Sequence, residues 1–295
     1  MKHFFLSIPL GMRFMLLSAF GFAVMSVFVK LASAEGIPVL EIVAARALVS
    51  LGLSYADMRR KRIAGFGTNK LLLLLRGLVG SLALVCVYYS ITHLPLAEAT
   101  VLQYLYPVIT AALALFFLNE KLHWTLVLSI ILSFSGVLLI VRPDFLFGEL
   151  APELSYFAVL AGLSGAFGSA VAYVLVRKLS QVEDPSVIVF YFPLIALPFS
   201  LLLLGDDFVV PSLKACGMLI LVGIFTQVGQ ICLTRALQTE AAGRATAFSY
   251  AQVIFASLFG WVLFDEVPDL WLACGALLIL SGTLVNLLLK EKPGN

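Results

Sequence analysis

The sequence predicts an all-α integral membrane protein with ten transmembrane helices, arranged as two inverted five-helix repeats. Three observations support this fold class. The composition is too apolar for a protein that folds in water, ten segments are long and apolar enough to cross a bilayer, and the second half of the chain repeats the pattern of the first.

The composition excludes most water-soluble classes of protein. Hydrophobic residues make up 61% of the 295 positions and charged residues only 12%, whereas about a quarter of the residues are charged in soluble domains. A water-soluble globule of this length would still need a large polar surface, so lipid must solvate most of this chain. The net charge of +2 gives no support for nucleic-acid binding.

Ten segments approach the roughly 20 apolar residues that a spanning helix needs. Short separators that carry glycine, proline and charged residues lie between them. The first segment lacks a small-residue cleavage motif, so we expect it to remain as a span rather than act as a signal peptide. The predicted spans are 14–31, 39–58, 71–94, 96–118, 122–141, 154–176, 187–204, 215–237, 241–264 and 270–289.

An internal repeat divides the chain into residues 1–148 and residues 149–295. Each half holds five predicted spans, and an odd number requires the second copy to enter the membrane from the opposite side. The repeats should therefore be related by a pseudo-two-fold axis in the membrane plane. Ala99-Thr100, Tyr104, Glu120 and Ser135-Gly136 recur 146 positions later as Ala245-Thr246, Tyr250, Glu266 and Ser281-Gly282, and Ala19-Phe20-Gly21 recurs 147 positions later as Ala166-Phe167-Gly168.

The distribution of basic residues predicts that both termini are cytoplasmic, as expected for a bacterial inner-membrane protein, because cytoplasmic loops are enriched in lysine and arginine. With that orientation, only Lys30, Arg142 and Lys214 lie on the far side. The cytoplasmic side holds 14 residues, namely Lys2, Arg13, Arg59, Arg60, Lys61, Arg62, Lys70, Lys121, Arg177, Lys178, Arg235, Arg244, Lys290 and Lys292.

Inverted repeats of spanning helices are typical of secondary transporters, in which the substrate site lies near mid-depth between the copies. The chain contains no phosphate-binding loop for ATP, no HExxH or GxSxG motif and no pair of mid-span carboxylates. We therefore expect no catalytic residues, no cofactor and no metal site. The expected partners are a small-molecule substrate and the lipid bilayer, with the chain acting as a monomer or homodimer.

Several short motifs together resemble the EamA-type drug/metabolite transporters. They are Leu94-Pro95-Leu96-Ala97-Glu98-Ala99-Thr100, Tyr104-Leu105-Tyr106-Pro107, Asn119-Glu120-Lys121 and Ser135-Gly136-Val137. The resemblance implies a ten-helix carrier whose central cavity is lined by spans 1, 3, 4, 6, 8 and 9. The chain departs from the family's symmetry at Val253, the counterpart of Pro107. The Arg76-Gly77 start of span 3 resembles the subgroup that includes S-adenosylmethionine carriers.

Polar and aromatic residues inside the spans are the candidate substrate ligands, because such groups are costly in hydrocarbon unless they face a cavity or another helix. Gln227 and Gln230 share one face of span 8, where interhelical hydrogen bonding is the alternative role. At most one of Tyr88 and its neighbour Tyr89 faces the cavity squarely. The predicted substrate-binding residues are Gln103, Tyr104, Tyr250, Gln227, Gln230, Tyr88 and Tyr173.

Charged residues in or near the spans are candidates for gating or structural roles. Arg46 either binds an anionic group, holds a gate, or fixes span 2 by pairing with carbonyl groups, and Glu41 lies near it in sequence. Glu120 and Glu266 end spans 4 and 9 at equivalent positions, which favours a structural role and leaves a gate possible. We expect Arg76 to extend its side chain to the cytoplasmic interface.

These residues predict a secondary carrier for a small polar or amphiphilic metabolite, such as an amino acid or an S-adenosylmethionine-like compound. Aromatic and amide groups suit amino acids, nucleoside-like compounds or cations, whereas inorganic anions call for more buried arginine or lysine. The alternatives are a lipid flippase or scramblase, a membrane enzyme that acts on a lipid, and a membrane scaffold without transport activity.

Overall fold

The structure is a computed structural model. It describes residues 10–63, 67–103, 105–117, 124, 128, 131–132, 135–136, 139, 155–239, 249 and 251–288. Within these residues every regular element is a helix and there is no strand. The helical fold class predicted from the sequence is confirmed.

Seven of the ten described helices begin and end within a few residues of a predicted span. The helices α1 to α10 are Leu10–Ala34, Val39–Lys61, Lys70–His93, Leu96–Gln103, Tyr106–Phe117, Tyr156–Leu179, Pro185–Leu204, Leu213–Thr239, Ala251–Phe264 and Leu270–Leu288. Among the described residues, six helices are long and apolar enough to cross a membrane, namely α1, α2, α3, α6, α7 and α8, and shorter apolar helices occur in α9 and α10. Most of predicted span 5 lies outside the described residues, and so do residues 241–248 and 250 of predicted span 9.

Predicted span 4 forms two helices, α4 and α5, instead of one. Proline has no backbone N–H, so Pro107 cannot donate the hydrogen bond that would cross the junction. The Leu105 N–H instead binds the Leu102 carbonyl (3.3 Å), which is the tighter three-residue spacing, and the four-residue spacing resumes where Ile109 N–H binds the Leu105 carbonyl (3.1 Å). The span is therefore interrupted at its middle.

The outward face of α3 shows why the chain needs lipid. Leu71 is 72% exposed, and Leu74, Leu75, Leu78 and Leu82 are also exposed along the same face of the helix. A continuous leucine surface of this kind is unfavourable in water and suits hydrocarbon. The opposite face of α3 packs against α6, α7 and the other inner helices.

The two halves run in opposite directions, as the counterpart helices α2 and α7 show. Near the end of α2, Lys61 donates to Ser186 at the start of α7 (2.6 Å). Near the start of α2, the Glu41 carboxylate accepts from the backbone N–H of Val209, just beyond the end of α7 (3.0 Å). The counterparts are therefore antiparallel, which is the relation that inverted repeats require.

Equivalent contacts recur across the pseudo-two-fold axis. Gly77 on α3 lies so close to Ile195 on α7 that an added methyl group would overlap with it, and Gly223 on α8 meets Val49 on α2 in the same way. Gly77 and Gly223 are 146 positions apart, and so are Val49 and Ile195. The third span of each half therefore packs against the second span of the other half. Glycine at the contact permits the close approach.

The loops collect at two ends of the helix bundle. The Glu266 end is formed by residues 35–38, 94–95, 205–212 and 265–269, and the Glu183 end by residues 62–63, 67–69 and 180–184. Between these ends, α1 packs along α8 and α3 packs along α6, so the helices at the centre come from both halves.

Candidate functional site

A cavity lies between the two halves of the chain. Helices α1 to α9 all contribute to its wall. Its polar and aromatic lining includes Ser18, Arg46, Arg76, Tyr88, Gln103, Tyr106, Ser169, Tyr173, Phe192, Gln230, Ser249 and Gln252.

Four of the residues predicted to bind substrate line this cavity: Gln103, Gln230, Tyr88 and Tyr173. Tyr88 is fully buried, and its hydroxyl donates to the Met25 sulfur (3.2 Å). The structure brings the four residues together from α4, α8, α3 and α6. Because these helices belong to both halves, the two repeats share one site.

An aromatic pair joins the halves beside the cavity. The rings of Tyr106 and Tyr173 pack edge to face with their centroids 4.5 Å apart. The Tyr106 hydroxyl is also hydrogen-bonded to Ser249 Oγ, at 2.6 Å. The two tyrosines and the serine therefore connect α5 and α6 with the segment before α9, and they place polar groups at the cavity wall.

Gln227 and Glu41 lie in other environments. The Gln227 amide donates to Ser54 on α2 (2.8 Å), which is the interhelical hydrogen bond considered as its alternative role. Glu41 is buried and accepts from the Val209 N–H. Both contacts hold α2 against the second half of the chain.

Glu266 connects several parts of the bundle at the Glu266 end. It forms an ion pair with Lys30, and its second oxygen accepts from the Leu96 N–H at the start of α4 (2.8 Å). Lys30 also donates to the Leu94 carbonyl (3.2 Å). This group of contacts, here the Lys30 clasp, links α1, the junction between α3 and α4, and the loop after α9.

Glu183 performs a similar linking role at its own end. One carboxylate oxygen accepts from the Thr68 N–H (2.6 Å), the Thr68 hydroxyl (2.6 Å) and the Asn69 N–H (2.8 Å). Burial tends to raise the pKa of Glu183, but these hydrogen bonds outweigh it and hold the pKa below its usual value. The contacts tie the loop before α7 to the start of α3.

Tyr104, Tyr250 and Glu120 lie outside the described residues. Their assigned roles, binding substrate for the tyrosines and gating or supporting a helix end for Glu120, stay predictions.

The structure corrects the expectation for Arg76 and places Arg46 at the same cavity. Arg76 was expected to reach the interface, but it is only 3% exposed and lines the cavity, and Arg46 is 2% exposed and lines it too. Span 2, expected at the periphery, therefore contributes to the wall. Both guanidinium groups lie over the ring of Phe192, at 5.1 Å for Arg46 and 4.5 Å for Arg76.

Local packing explains why Arg76 turns inward. Position 76 lies opposite the exposed leucine face of α3, because successive residues of a helix are about 100° apart. Gly80 makes room one turn later, since a methyl group there would lie 2.7 Å from Arg76 Nη1 and 2.9 Å from the Phe192 ring. The leucine periodicity of α3 is the sequence signal that could have revealed this orientation.

Sequence reasoning also missed Tyr106 and Gln252, which line the cavity. Gln252 is a mid-span carboxamide, and the argument that singled out Gln227 and Gln230 applied equally to it. Tyr106 stands in one of the motifs that carry the family resemblance, but it was not among the predicted ligands.

Comparison with known proteins gives the same two-part organisation. The model of the EamA-like transporter family matches twice, over residues 9–142 and 156–288. The pseudopaline exporter CntI of Pseudomonas aeruginosa is 35% identical over 274 residues, covering 91% of this chain and 93% of that protein. Human solute carrier family 35 member G1 is 35% identical over 287 residues, covering 92% and 77%.

A solved crystal structure supports the fold independently. It shares 20% sequence identity with this chain and superposes with a TM-score of 0.67, covering 92% of this chain and 96% of the other. At that identity the likeness concerns the fold alone. The duplicated family match, the relatives of similar length and the helical architecture agree that this chain is a membrane transporter of small molecules, and it belongs to the EamA-like transporter family.

Proposed function

We propose that the chain is a secondary transporter that moves a small polar metabolite by alternating access. The observation that carries the proposal is the position of the cavity: it lies between two inverted halves and takes wall residues from both. Rocking of one half against the other would expose such a site to each side of the membrane in turn.

The contacts at the Glu266 end support this mechanism, because they join helices of both halves at one end of the bundle. The Lys30 clasp joins three parts of the bundle that must separate if the cavity is to open there. Arg177 occupies the position equivalent to Lys30 in the second half, and its Nη1 donates to the Leu237 carbonyl (2.7 Å). The two halves therefore place equivalent basic residues at opposite ends of the bundle, which suits closure at either end.

We place the Glu183 end on the cytoplasmic side of a bacterial inner membrane, with both termini there. The excess of basic residues in the loops of that side supports the orientation. The Pseudomonas relative, named as an exporter of pseudopaline, supports a bacterial membrane and a small organic cargo.

Cysteine labelling tests alternating access without knowledge of the substrate. In a variant whose native residues Cys86, Cys216, Cys232 and Cys274 are alanine, Ser169→Cys places one thiol at the cavity wall. A membrane-impermeant maleimide added to sealed vesicles should label this thiol mainly from the cytoplasmic side. Adding Lys30→Ala should increase labelling from the opposite side several-fold, because the clasp no longer closes that end.

Lys214→Ala is the matched control. Lys214 Nζ pairs with Glu35 Oε1 at the same end (2.6 Å), but its side chain is largely exposed. This change should leave the labelling unchanged. Labelling that never occurs from the opposite side, even in the Lys30→Ala variant, would contradict the proposal. A response to Lys214→Ala as large as that to Lys30→Ala would also contradict it.

A further inference from the structure

Arg46 and Arg76 carry two positive charges that nothing described in the structure neutralises. Nε and Nη1 of both guanidinium groups are buried and have no hydrogen-bond partner among the described residues. None of the ion pairs between described residues includes either arginine. The cavity therefore contains unsatisfied, fixed hydrogen-bond donors.

Without a ligand, such an arrangement destabilises the folded protein. A buried charge without a partner loses its hydration and receives no compensating bond. The aromatic contacts with Phe192 and Tyr88 offset part of this cost, but the Nε and Nη1 groups remain without a hydrogen-bond partner. A ligand that brings negative charge into the cavity would satisfy them.

The geometry identifies the chemical class of that ligand. Each guanidinium is a planar fork of N–H groups that matches a carboxylate with two parallel hydrogen bonds. Both forks lie over the Phe192 ring, so they are close enough for one small molecule to reach both. The Nη2 of Arg76 also donates to the Gln230 amide (3.3 Å), which leaves that amide's N–H groups to contact a ligand.

We infer that the cavity binds a small organic anion with at least two carboxylate groups, which Arg46 and Arg76 hold. This inference rests on the proposed transport function and specifies its substrate class. Gln103, Gln230 and Gln252 offer amide groups to the remainder of the molecule, and the aromatic walls accept its apolar part.

The inference differs from the sequence-based preference for amino acids, nucleoside-like compounds or cations. For Arg46 the sequence left binding of an anionic group open, whereas Arg76 was expected to reach the interface. Two buried guanidinium groups repel a cation from the cavity, and they attract an anion more strongly than they would in water, because the local dielectric constant is low. Diamines should therefore be rejected.

Ligand binding to the purified protein tests this charge preference independently of flux. The probes are glutarate and adipate, their diamides glutaramide and adipamide, the diamine cadaverine, and inorganic phosphate. The apparent unfolding temperature should rise with either dicarboxylate, because a ligand that binds the folded state stabilises it. The matched diamides and cadaverine, at equal concentration, should give no rise.

Arg46→Met and Arg76→Met separate ligand binding from a structural role. Each should weaken dicarboxylate binding about tenfold to a hundredfold, since a charge-assisted hydrogen bond is lost. The ligand-free variant should unfold at a higher temperature than the wild type, because a buried charge without a partner is removed. Arg59→Gln is the control, since Arg59 also lies over a ring, that of Tyr55, but is exposed.

Three outcomes would overturn the inference. Cadaverine or the diamides could bind as tightly as the dicarboxylates, or phosphate could bind more tightly than either dicarboxylate. A methionine variant could also unfold at a lower temperature than the wild type and still bind the dicarboxylates normally. Dicarboxylate binding without flux in proteoliposomes would instead contradict the proposed transport function alone. Flux of a neutral or cationic compound without any anion binding would overturn the inference and leave transport intact.

Discussion

At the scale of single residues, two glutamines on one face of α8 have different surroundings. Gln230 lines the cavity and accepts from Arg76, whereas Gln227 donates to Ser54 on α2. Their helical spacing placed both on an inner surface. Only the neighbouring helices decide which of them meets the cavity, because α2 covers the position of Gln227.

These different surroundings predict that Gln230 contributes to ligand binding and Gln227 to stability, although they lie within one turn of the same helix. Gln230→Ala should reduce binding and proteoliposome flux of the best-binding dicarboxylate about tenfold, with little change in unfolding temperature. Gln227→Ala should cost about 1 kcal/mol of stability, as expected for one lost hydrogen bond, and leave the ligand affinity near that of the wild type. Equal effects of the two changes on affinity would place both amides in the site.

At the scale of helices, close packing between the halves depends on glycine. Gly223 on α8 faces Val49 on α2, and its missing side chain leaves room for the Val49 Cβ. Unlike the end of a long side chain, a Cβ atom cannot rotate away from an added methyl group. The contact between α2 and α8 is therefore intolerant of any larger residue.

Gly223→Ala should consequently destabilise the protein by about 1–3 kcal/mol, the usual cost of overpacking. Gly52→Ala is the matched comparison, since Gly52 also lies inside a helix but nothing approaches its missing Cβ within 4 Å. It should stabilise the protein by about 0.5–1 kcal/mol through helix propensity. Thermal unfolding of both variants in one detergent measures the difference, and a neutral Gly223→Ala would show that the helices can separate freely.

The start of α3 provides a pH-dependent contact. The pKa of Glu183 in the folded protein is lower than usual. Its carboxylate therefore stabilises the fold fully at pH values above the pKa of an unfolded glutamate, about 4.3. This stabilisation is lost as the pH falls through the lower pKa of the folded state. Glu183→Gln should therefore lower the unfolding temperature at pH 6–7, and the difference should vanish in strongly acidic buffer. A difference that persists there would assign the loss to packing instead of charge.

At the scale of the whole molecule, inversion follows from two independent lines of evidence. Five predicted spans in each repeat require opposite entry of the second repeat, and the antiparallel contacts of α2 with α7 show it directly. Basic residues on one side then orient the entire bundle, because the two halves cannot turn over separately.

Reporter fusions should therefore place both termini of the protein on the cytoplasmic side. A reporter that is active only in the cytoplasm should function at either end of the chain, and one that is active only outside should fail at both ends. Moving the charges of Arg59, Arg60, Lys61 and Arg62 across the membrane should be strongly disfavoured. If the cytoplasmic reporter were active at one end of the chain and the external reporter at the other, the predicted even number of spans would be wrong.

The success of sequence reasoning differed between fold and site for a physical reason. Helix positions depend on local hydrophobicity, so the span from Val39 and the span ending at Leu204 were predicted within a few residues. The roles of Arg46 and Arg76 depend on which helices surround them, so the sequence left the role of Arg46 open and the expected orientation of Arg76 was wrong. Gln252 was overlooked although its mid-span amide carried a usable signal.

The sequence by itself determined the solvent, the helical class and the duplication, because hydrophobic length and the repeat of 146 residues are properties of the chain alone. Tertiary structure decided which polar groups share the cavity, which hold helices together, and that two arginines converge on one phenylalanine. The reason is that the chemistry of a side chain depends on the residue itself, whereas its burial and its partners here depend on residues more than a hundred positions away in the sequence.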